Sequence, residues 1–394
     1  MTAKPRKFER APMILGINAC RARSGGAIAH LVGILGEGDP AEFGIRDVHL
    51  WSYPRLLAAL PDAPWLIKHA PAELERPLLH QLWWERVSLP GDLRNAGCSM
   101  LLNVDAGSVC RFRPAVTMSR DMLSYEPGEI ERYGVSKARL RLIALRHAQN
   151  ASLRAADGAV FLTRYAARVI QQSCGPLPNI AYIPHGVGAA FQAIDPVRSW
   201  PGAGERPIRC LYISNVAPYK HQWHVVQAAA QLRQQGFDLQ LELVGGGEGK
   251  AQARLEAQVA LSDPKGAFVN VHDFVPQHIL PRFLAQADLF VFASSCENMP
   301  NTLVEAMAAG LPIACANRGP MPEVLEDGGV YFDPESPNSI AVAIEDLIND
   351  PGKRARLAAR AKELSRKYSW SRCAYETLSF ISQTAKRVEQ RNPK

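Results

Sequence analysis

Two stretches of this chain open in the same way, and that repetition bounds what it can fold into. Residues 13–19, Met-Ile-Leu-Gly-Ile-Asn-Ala, form a short apolar run, followed by Ser24-Gly25-Gly26 and an apolar helical stretch from Ala27 to Leu35. Residues 208–214, Ile-Arg-Cys-Leu-Tyr-Ile-Ser, start again and lead through a loop into a helical stretch from His224 to Gln235, then the run Leu239 to Val244 and Gly245-Gly246-Gly247. A buried strand, a turn and a helix, in that order, open a doubly wound α/β domain. Further strand-like runs lie at 100–104, 115–118, 158–162 and 180–183 in the first unit, and at 268–271 and 287–293 in the second. Between the units, seven of the 22 residues from Gly186 to Pro207 are Gly or Pro, the composition of a linker. The expected organisation is a first α/β domain over residues 1–190, a linker at 191–207 and a second α/β domain over 208–375, with a helical pattern from Trp370 through Lys394.

At 394 residues the chain is too long for one ordinary core, and 47% apolar residues allow each of two domains a full one. No stretch approaches the roughly 18–20 unbroken apolar residues of a membrane span. The N-terminal segment Met1–Arg10 is basic and runs into a strand without a long apolar run or small-residue cleavage site, so a cytoplasmic location is expected. The eight cysteines show no C-x-x-C spacing, which points away from a zinc site or a disulfide framework and toward reduced, mostly buried thiols. Lys plus Arg exceed Asp plus Glu by 45 to 38, a net charge of +7. That excess is modest, and no strand interleaves basic and aromatic residues, so nucleic acid is not an expected partner whereas an acidic ligand is. Part of the charge lies in a helical stretch from Lys137 to His147, with Leu140, Ile143, Ala144 and Ala148 on one face and Arg139 and Arg146 on another. It is either a solvated face or a contact with an anionic membrane surface.

The chemistry concentrates in residues 294–313, SSCENMPNTLVEAMAAGLPI. The apolar run before it reads as a buried strand and Leu303 to Ala309 as a helix, so Glu297 falls in the loop and Glu305 on the helix. Pro300 suits the first helical turn, and Gly310-Leu311-Pro312 stops the helix about three turns on. Backbone N–H groups near Asn301, Thr302 and Leu303 are left without intrahelical partners, which prepares the turn for an anion. Two carboxylates beside it can grip hydroxyls.

This segment resembles the E-x7-E motif of the retaining nucleotide-sugar glycosyltransferases of glycosyltransferase family 4, in particular those of bacterial lipopolysaccharide and exopolysaccharide assembly. The resemblance implies a GT-B fold of two Rossmann-like domains facing across a cleft, with a C-terminal helix at 376–394 crossing back onto the first. It gives Glu297 to the transferred sugar and Glu305 to the nucleotide ribose. Tyr212 to His221 resembles the family loop in which an Arg and, five residues later, a Lys hold the donor diphosphate. Lys220 fits the Lys, while Asn215 stands where the Arg is expected. Gly25 and Gly26 of the first turn, and Gly245 and Gly246 of the later one, are assigned to the donor; the 245–247 turn serves equally as a tight turn after a strand. On the acceptor side, the strand that ends in His-Asp or Gln-Asn in the family ends here in Arg120-Asp121. Arg120 either faces a phosphate or pairs with Asp121 or Glu126. His185, in Ile183-Pro184-His185-Gly186-Val187, is assigned to the hinge.

Stabilising a departing diphosphate takes a divalent metal or fixed cations and dipoles. The chain contains no Asp-x-Asp. Lys220, the helix start at Asn301-Thr302-Leu303 and the Gly245-Gly246-Gly247 turn are the available substitutes, so transfer without metal or other cofactor is expected. The resemblance adds retention of configuration. The resulting expectation is a hexosyltransferase taking a GDP- or UDP-hexose, mannose first, to a glycan or a polyprenyl- or other lipid-linked acceptor, in the cytoplasm or at the inner face of the cytoplasmic membrane. The alternatives are a nucleotide-sugar epimerase or hydrolase on the same fold, and a catalytically degenerate nucleotide-sugar-binding scaffold.

Overall fold

The computed structural model describes residues 12–23, 25–194, 200–202 and 204–391. Met1–Ala11, including the basic segment Met1–Arg10, Ser24 of the first glycine turn, 195–199 and 203 of the linker, and the last three residues lie outside the described residues.

Two parallel sheets form the frame. The first contains β1 (Met13–Asn18), β2 (Ile45–Trp51), β3 (Leu66–His69), β4 (Met100–Asn103), β5 (Ala115–Ser119), β6 (Gly158–Phe161) and β7 (Ile180–Tyr182), in the order β3-β2-β1-β4-β5-β6-β7. The second contains β8 (Ile208–Ile213), β9 (Leu239–Val244), β10 (Val269–His272), β11 (Leu289–Phe292), β12 (Ile313–Ala316) and β13 (Val330–Phe332), in the order β10-β9-β8-β11-β12-β13. Runs such as Leu-Phe-Val-Phe in β11 and Ile-Ala-Cys-Ala in β12 are buried throughout, as a strand covered by helices on both faces requires. In each sheet the winding direction reverses beside the first strand, between β1 and β4 and between β8 and β11. The crevice at the carboxyl ends of such strands is where doubly wound folds bind ligands. β2, β3, β12 and β13 have no counterpart in the sequence reading. β2 and β3 carry Arg46, Asp47, His49, Lys68 and His69 toward an open edge, which breaks the apolar run that marks the central strands.

Seven helices bear on the site: α1 (Gly25–Glu37), α2 (Leu78–Val87), α3 (Lys137–Ala155), α4 (Arg164–Cys174), α5 (Gln222–Gln234), α6 (Asn301–Ala308) and α7 (Trp370–Arg391). Ser136 and Thr163 cap α3 and α4 by accepting from Arg139 N and Ala166 N. α6 departs from expectation in two ways. It spans eight residues, about two turns rather than three, because Gly310 adopts φ +73 just past its end. Pro300 sits at the cap, outside the helix.

α7 returns from the second domain to the first. Its buried residues Cys373, Ala374, Thr377, Leu378 and Ile381 share one stripe, and a Leu or Ile so buried contributes about 1.5–3 kcal/mol. Ser382 Oγ donates to Phe43 O at 3.0 Å, Arg387 reaches Asn179 Oδ1 at 2.7 Å, and the Trp370 ring occupies the space beside Gly33 where a side chain would otherwise project. One apolar cluster consequently runs from β1 through α1 and α7 into the second sheet. All eight cysteines are free and buried.

Candidate active site

A cavity of about 310 Å³ opens between the domains at the carboxyl ends of β8 and β11. Its walls come from the loop after β8 (Ser214, Asn215, Lys220), the turn after β9 (Gly245), the loop and helix start after β11 (Glu297, Met299, Asn301, Thr302), Phe274 and Val275, and Gly26 of the first domain. The β8 loop is held rigidly: Tyr212 Oη donates to Lys220 O at 2.7 Å, Gln222 Nε2 donates to Asn215 O at 2.9 Å, and His221 takes a left-handed φ of +53 while its Nε2 meets Ser295 Oγ at 2.9 Å. Lys220 is thereby presented to Glu297, and the two form an ion pair with side chains only 9% and 15% exposed. Such a pair adds little net stability, but it fixes both groups at the cavity wall. The Lys220 ammonium also lies 5.2 Å from the Tyr219 ring centroid.

The α6 start faces the same space. Thr302 Oγ1 donates to Ile213 O at 3.1 Å, which ties the helix to the end of β8. The first N–H groups of α6 carry about half a unit of positive charge. Gly26 approaches closely enough that a Cβ there would stand 3.1 Å from Asn301 Nδ2. Gly245 has φ +132, and a Cβ would stand 2.5 Å from Ser214 O, so the β9 turn needs glycine.

Not every expected residue reaches the cavity wall. Gly25 and Gly246 are not part of it; Gly246 makes the turn against Asp273. The Leu303 side chain is wholly buried in the core, leaving only its backbone near the site. Glu305 lies one layer behind, 6% exposed, its Oε1 accepting from Gln277 Nε2 at 3.1 Å and its Oε2 without a partner among the described residues. Burial pushes its carboxyl up to about 7.

The acceptor-side pair also differs from its reading. Asp121 does not meet Arg120: its carboxylate accepts from Leu123 N, Ser124 Oγ and Gln149 Nε2 and so shapes the turn after β5. Glu126 accepts from Tyr165 Oη instead. Arg120 therefore pairs with neither carboxylate, and its Nε is buried without a partner among the described residues. Burial brings its guanidinium down to about 10, with Asp105 opposing. His185 ties the hinge to the cavity through Nδ1 and Asn301 Oδ1 at 3.1 Å, its ring tilted by 32° against that of His30 with centroids 4.4 Å apart. Burial, then Arg120, lowers His185 to about 3, so the ring is neutral at ordinary pH.

Contacts that close the cleft were not legible in the sequence. Glu323 accepts from Arg164 N and Tyr165 N, both at 2.8 Å, and so caps α4 from the opposite domain. Thr163 Oγ1 donates to Asn298 O at 3.1 Å, Asn298 Nδ2 to Asp121 O at 3.3 Å, and Ser295 Oγ to Glu129 at 2.6 Å, while Arg132 pairs with Glu335. The partners are more than 130 residues apart, and Thr163 carries the one local signal, that of a helix cap. Among the described residues, no group of three or more His, Cys, Asp or Glu is arranged to hold a metal ion.

Residues 198–364, which hold almost every group of this cavity, match the profile of the family described as glycosyl transferases group 1. These residues are thus similar to that family. Among sequence relatives, a GDP-mannose-dependent alpha-(1-6)-phosphatidylinositol monomannoside mannosyltransferase of Mycolicibacterium smegmatis is 29% identical over 225 residues, covering 52% of this chain and 57% of that protein. O-antigen chain mannosyltransferase B of Escherichia coli is 27% identical over 169 residues, 43% of this chain and 44% of that protein. The chain thus matches these relatives over about half their length. Among solved structures, Anabaena HepE in complex with UDP aligns with a TM-score of 0.66 over 96% of this chain and 100% of its own, at 19% identity. A glycosyltransferase from Rickettsia africae gives 0.69 over 96% and 99%, at 13% identity. The chain accordingly has a GT-B fold, and the matched residues lie in its second half.

Proposed function

We propose that this chain is a retaining glycosyltransferase that moves a hexose, mannose first, from a nucleotide sugar to a glycan or lipid-linked acceptor of a cell-surface polysaccharide, without a metal. The observation that carries this reading is the cavity in which Glu297, Lys220 and the α6 start converge beside Gly26. The α6 N–H groups and Lys220 are suited to the diphosphate, whose charge grows as the sugar–phosphate bond breaks. Lys220 is held by Glu297 and would turn toward phosphate oxygens, leaving Glu297 to orient the sugar. The family resemblance gives the ribose to Glu305; because its unpartnered Oε2 lies one layer behind the wall, that contact requires a side-chain shift when the donor binds. Asn215 at the wall lacks the charge of an arginine, so the α6 start carries more of the diphosphate. Retention places the acceptor hydroxyl on the leaving-group side, with its proton passing to a donor phosphate oxygen. The names of the mannosyltransferase relatives support mannose and a surface glycan. The basic start of α3, with Lys137 and Arg141 exposed, and the lack of any described helix long and apolar enough to cross a membrane agree with peripheral attachment to the inner face.

Thermal unfolding against UDP, GDP and their hexose conjugates, with and without EDTA, tests the donor class: stabilisation by at least one conjugate, unchanged by EDTA, is expected. With that donor, Glu297→Gln should lower transfer at least about 100-fold while donor binding survives. No stabilisation by any nucleotide, or full activity of the variant, refutes the reading. Release of free sugar without acceptor at the transfer rate favours the hydrolase alternative.

A further inference from the structure

The first domain carries an apolar surface that the cavity does not use. On α2, Leu78, Leu79, Trp83 and Val87 are 53%, 78%, 61% and 54% exposed. At about 3.6 residues per turn, Leu79, Trp83 and Val87 follow one another within about 80° of the helix circumference. Arg86, also exposed, stands beside them. The inner face holds Trp84 and Glu85, at 4% and 1% exposure. This reverses the usual surface helix, which turns its apolar stripe inward.

Glu85 accounts for the reversal. It accepts from Asn18 Nδ2 at 2.8 Å, Val109 N at 3.2 Å and Arg21 Nη2 at 3.1 Å, and so fastens α2 to the loops that follow β1 and β4 at the cleft rim. The helix cannot roll its apolar side inward without breaking these bonds, and a buried carboxylate left unpaired costs several kcal/mol. α3 packs against the other side of the same rim: a Cβ on Gly107 would lie 3.4 Å from Leu145 of α3 and 3.6 Å from Arg21.

Area and charge select the occupant. The four exposed side chains present on the order of 400–500 Å². A symmetric dimer through this face would bury about twice that, less than the roughly 1,200 Å² of a stable interface. Between residues 75 and 95 the exposed charges are Arg76, Arg86 and Arg94 against Glu75. A tryptophan flanked by aliphatic groups and arginines is matched to the headgroup boundary of an anionic bilayer. We propose that α2 docks this protein on an anionic lipid surface through Leu79, Trp83 and Val87, with the basic start of α3 adding charge. Docked in this way, the cleft rim stands about one helix diameter, 10–12 Å, from the lipid, within reach of a lipid-linked acceptor. That last link rests on the glycosyl-transfer reading; the docking does not.

The test is co-sedimentation of the full chain with phosphatidylcholine vesicles, with and without about 30% phosphatidylglycerol. The protein should sediment with the anionic vesicles and far less with the neutral ones. Leu79→Asp/Trp83→Asp should cut binding at least tenfold, and Leu79→Ala/Trp83→Ala by less, both with an unchanged melting temperature and the same nucleotide response as the parent. Parent protein that stays in the supernatant, or an Asp double variant that sediments like it, overturns the proposal. So does a dimer, seen by light scattering, that the substitutions dissolve without any vesicle binding. Vesicle binding without nucleotide binding leaves the docking standing and removes the transferase reading.

Discussion

Glu305→Gln isolates the electrostatic cost of placing a carboxyl behind the donor cavity. In the native state Glu305 is 6% exposed and its carboxyl is pushed up to about 7 by burial, against the ordinary glutamate range in the unfolded chain. Between those two limits the native state holds one proton more than the unfolded state, so stability falls as pH rises, by about 1.4 kcal/mol per pH unit. The contribution is complete below the ordinary range and gone above about pH 7, a total of about 3 kcal/mol. Glutamine keeps the acceptor for Gln277 but does not titrate. Its amide N–H meets the place of the unpartnered Oε2, a constant penalty of about 1–3 kcal/mol. The variant should therefore be less stable than the parent at pH 5, and the gap should close or reverse by pH 8. Urea unfolding at pH 5, 6, 7 and 8, followed by tryptophan fluorescence, measures that difference. A parent-minus-variant difference constant to within about 0.5 kcal/mol across the series would refute the burial argument.

Three further outcomes follow from the site. Asn215→Arg places a cation at the cavity wall and should tighten UDP or GDP binding by up to about tenfold in calorimetry, with a steeper salt dependence; unchanged affinity would remove Asn215 from the phosphate end. Gly245→Ala should destabilise the second domain by at least about 2 kcal/mol, because φ +132 and the approach to Ser214 O both exclude a side chain; a melting temperature equal to the parent's would contradict the turn geometry. Glu323→Ala strips two acceptor bonds from the start of α4 and should cost about 1 kcal/mol, reduced by exposure, while increasing the radius of gyration in solution scattering; identical scattering curves would show that Glu323 does not hold the domains together.

The central strands and the E-x7-E turn were legible because each is local. β8, β9 and β11 are short apolar runs between turn residues, and Lys220 lies in the loop that β8 must enter. The edge strand β3 and its neighbour β2 were not, since their polar residues answer to neighbours that only the sheet order brings. Glu305 shows the limit of spacing as evidence: seven residues separate it from Glu297, yet the two-turn α6 sets one in the cavity wall and the other behind it. Arg120 and Asp121, adjacent in sequence, meet different surroundings because both lie past the end of β5 at Ser119, where the chain turns.

What the sequence determined by itself was a pair of doubly wound units, a Gly/Pro-rich linker and a loop-to-helix turn with a carboxylate, since apolar periodicity and turn chemistry act over a few residues. Tertiary structure alone decided which groups share the cavity, that Lys220 is held by Glu297, that Glu323 caps a helix of the other domain, and that α2 faces its apolar side outward. Each of these depends on where two distant segments meet, and that is set by the packing of α7 and both sheets around one core rather than by any local preference of the chain.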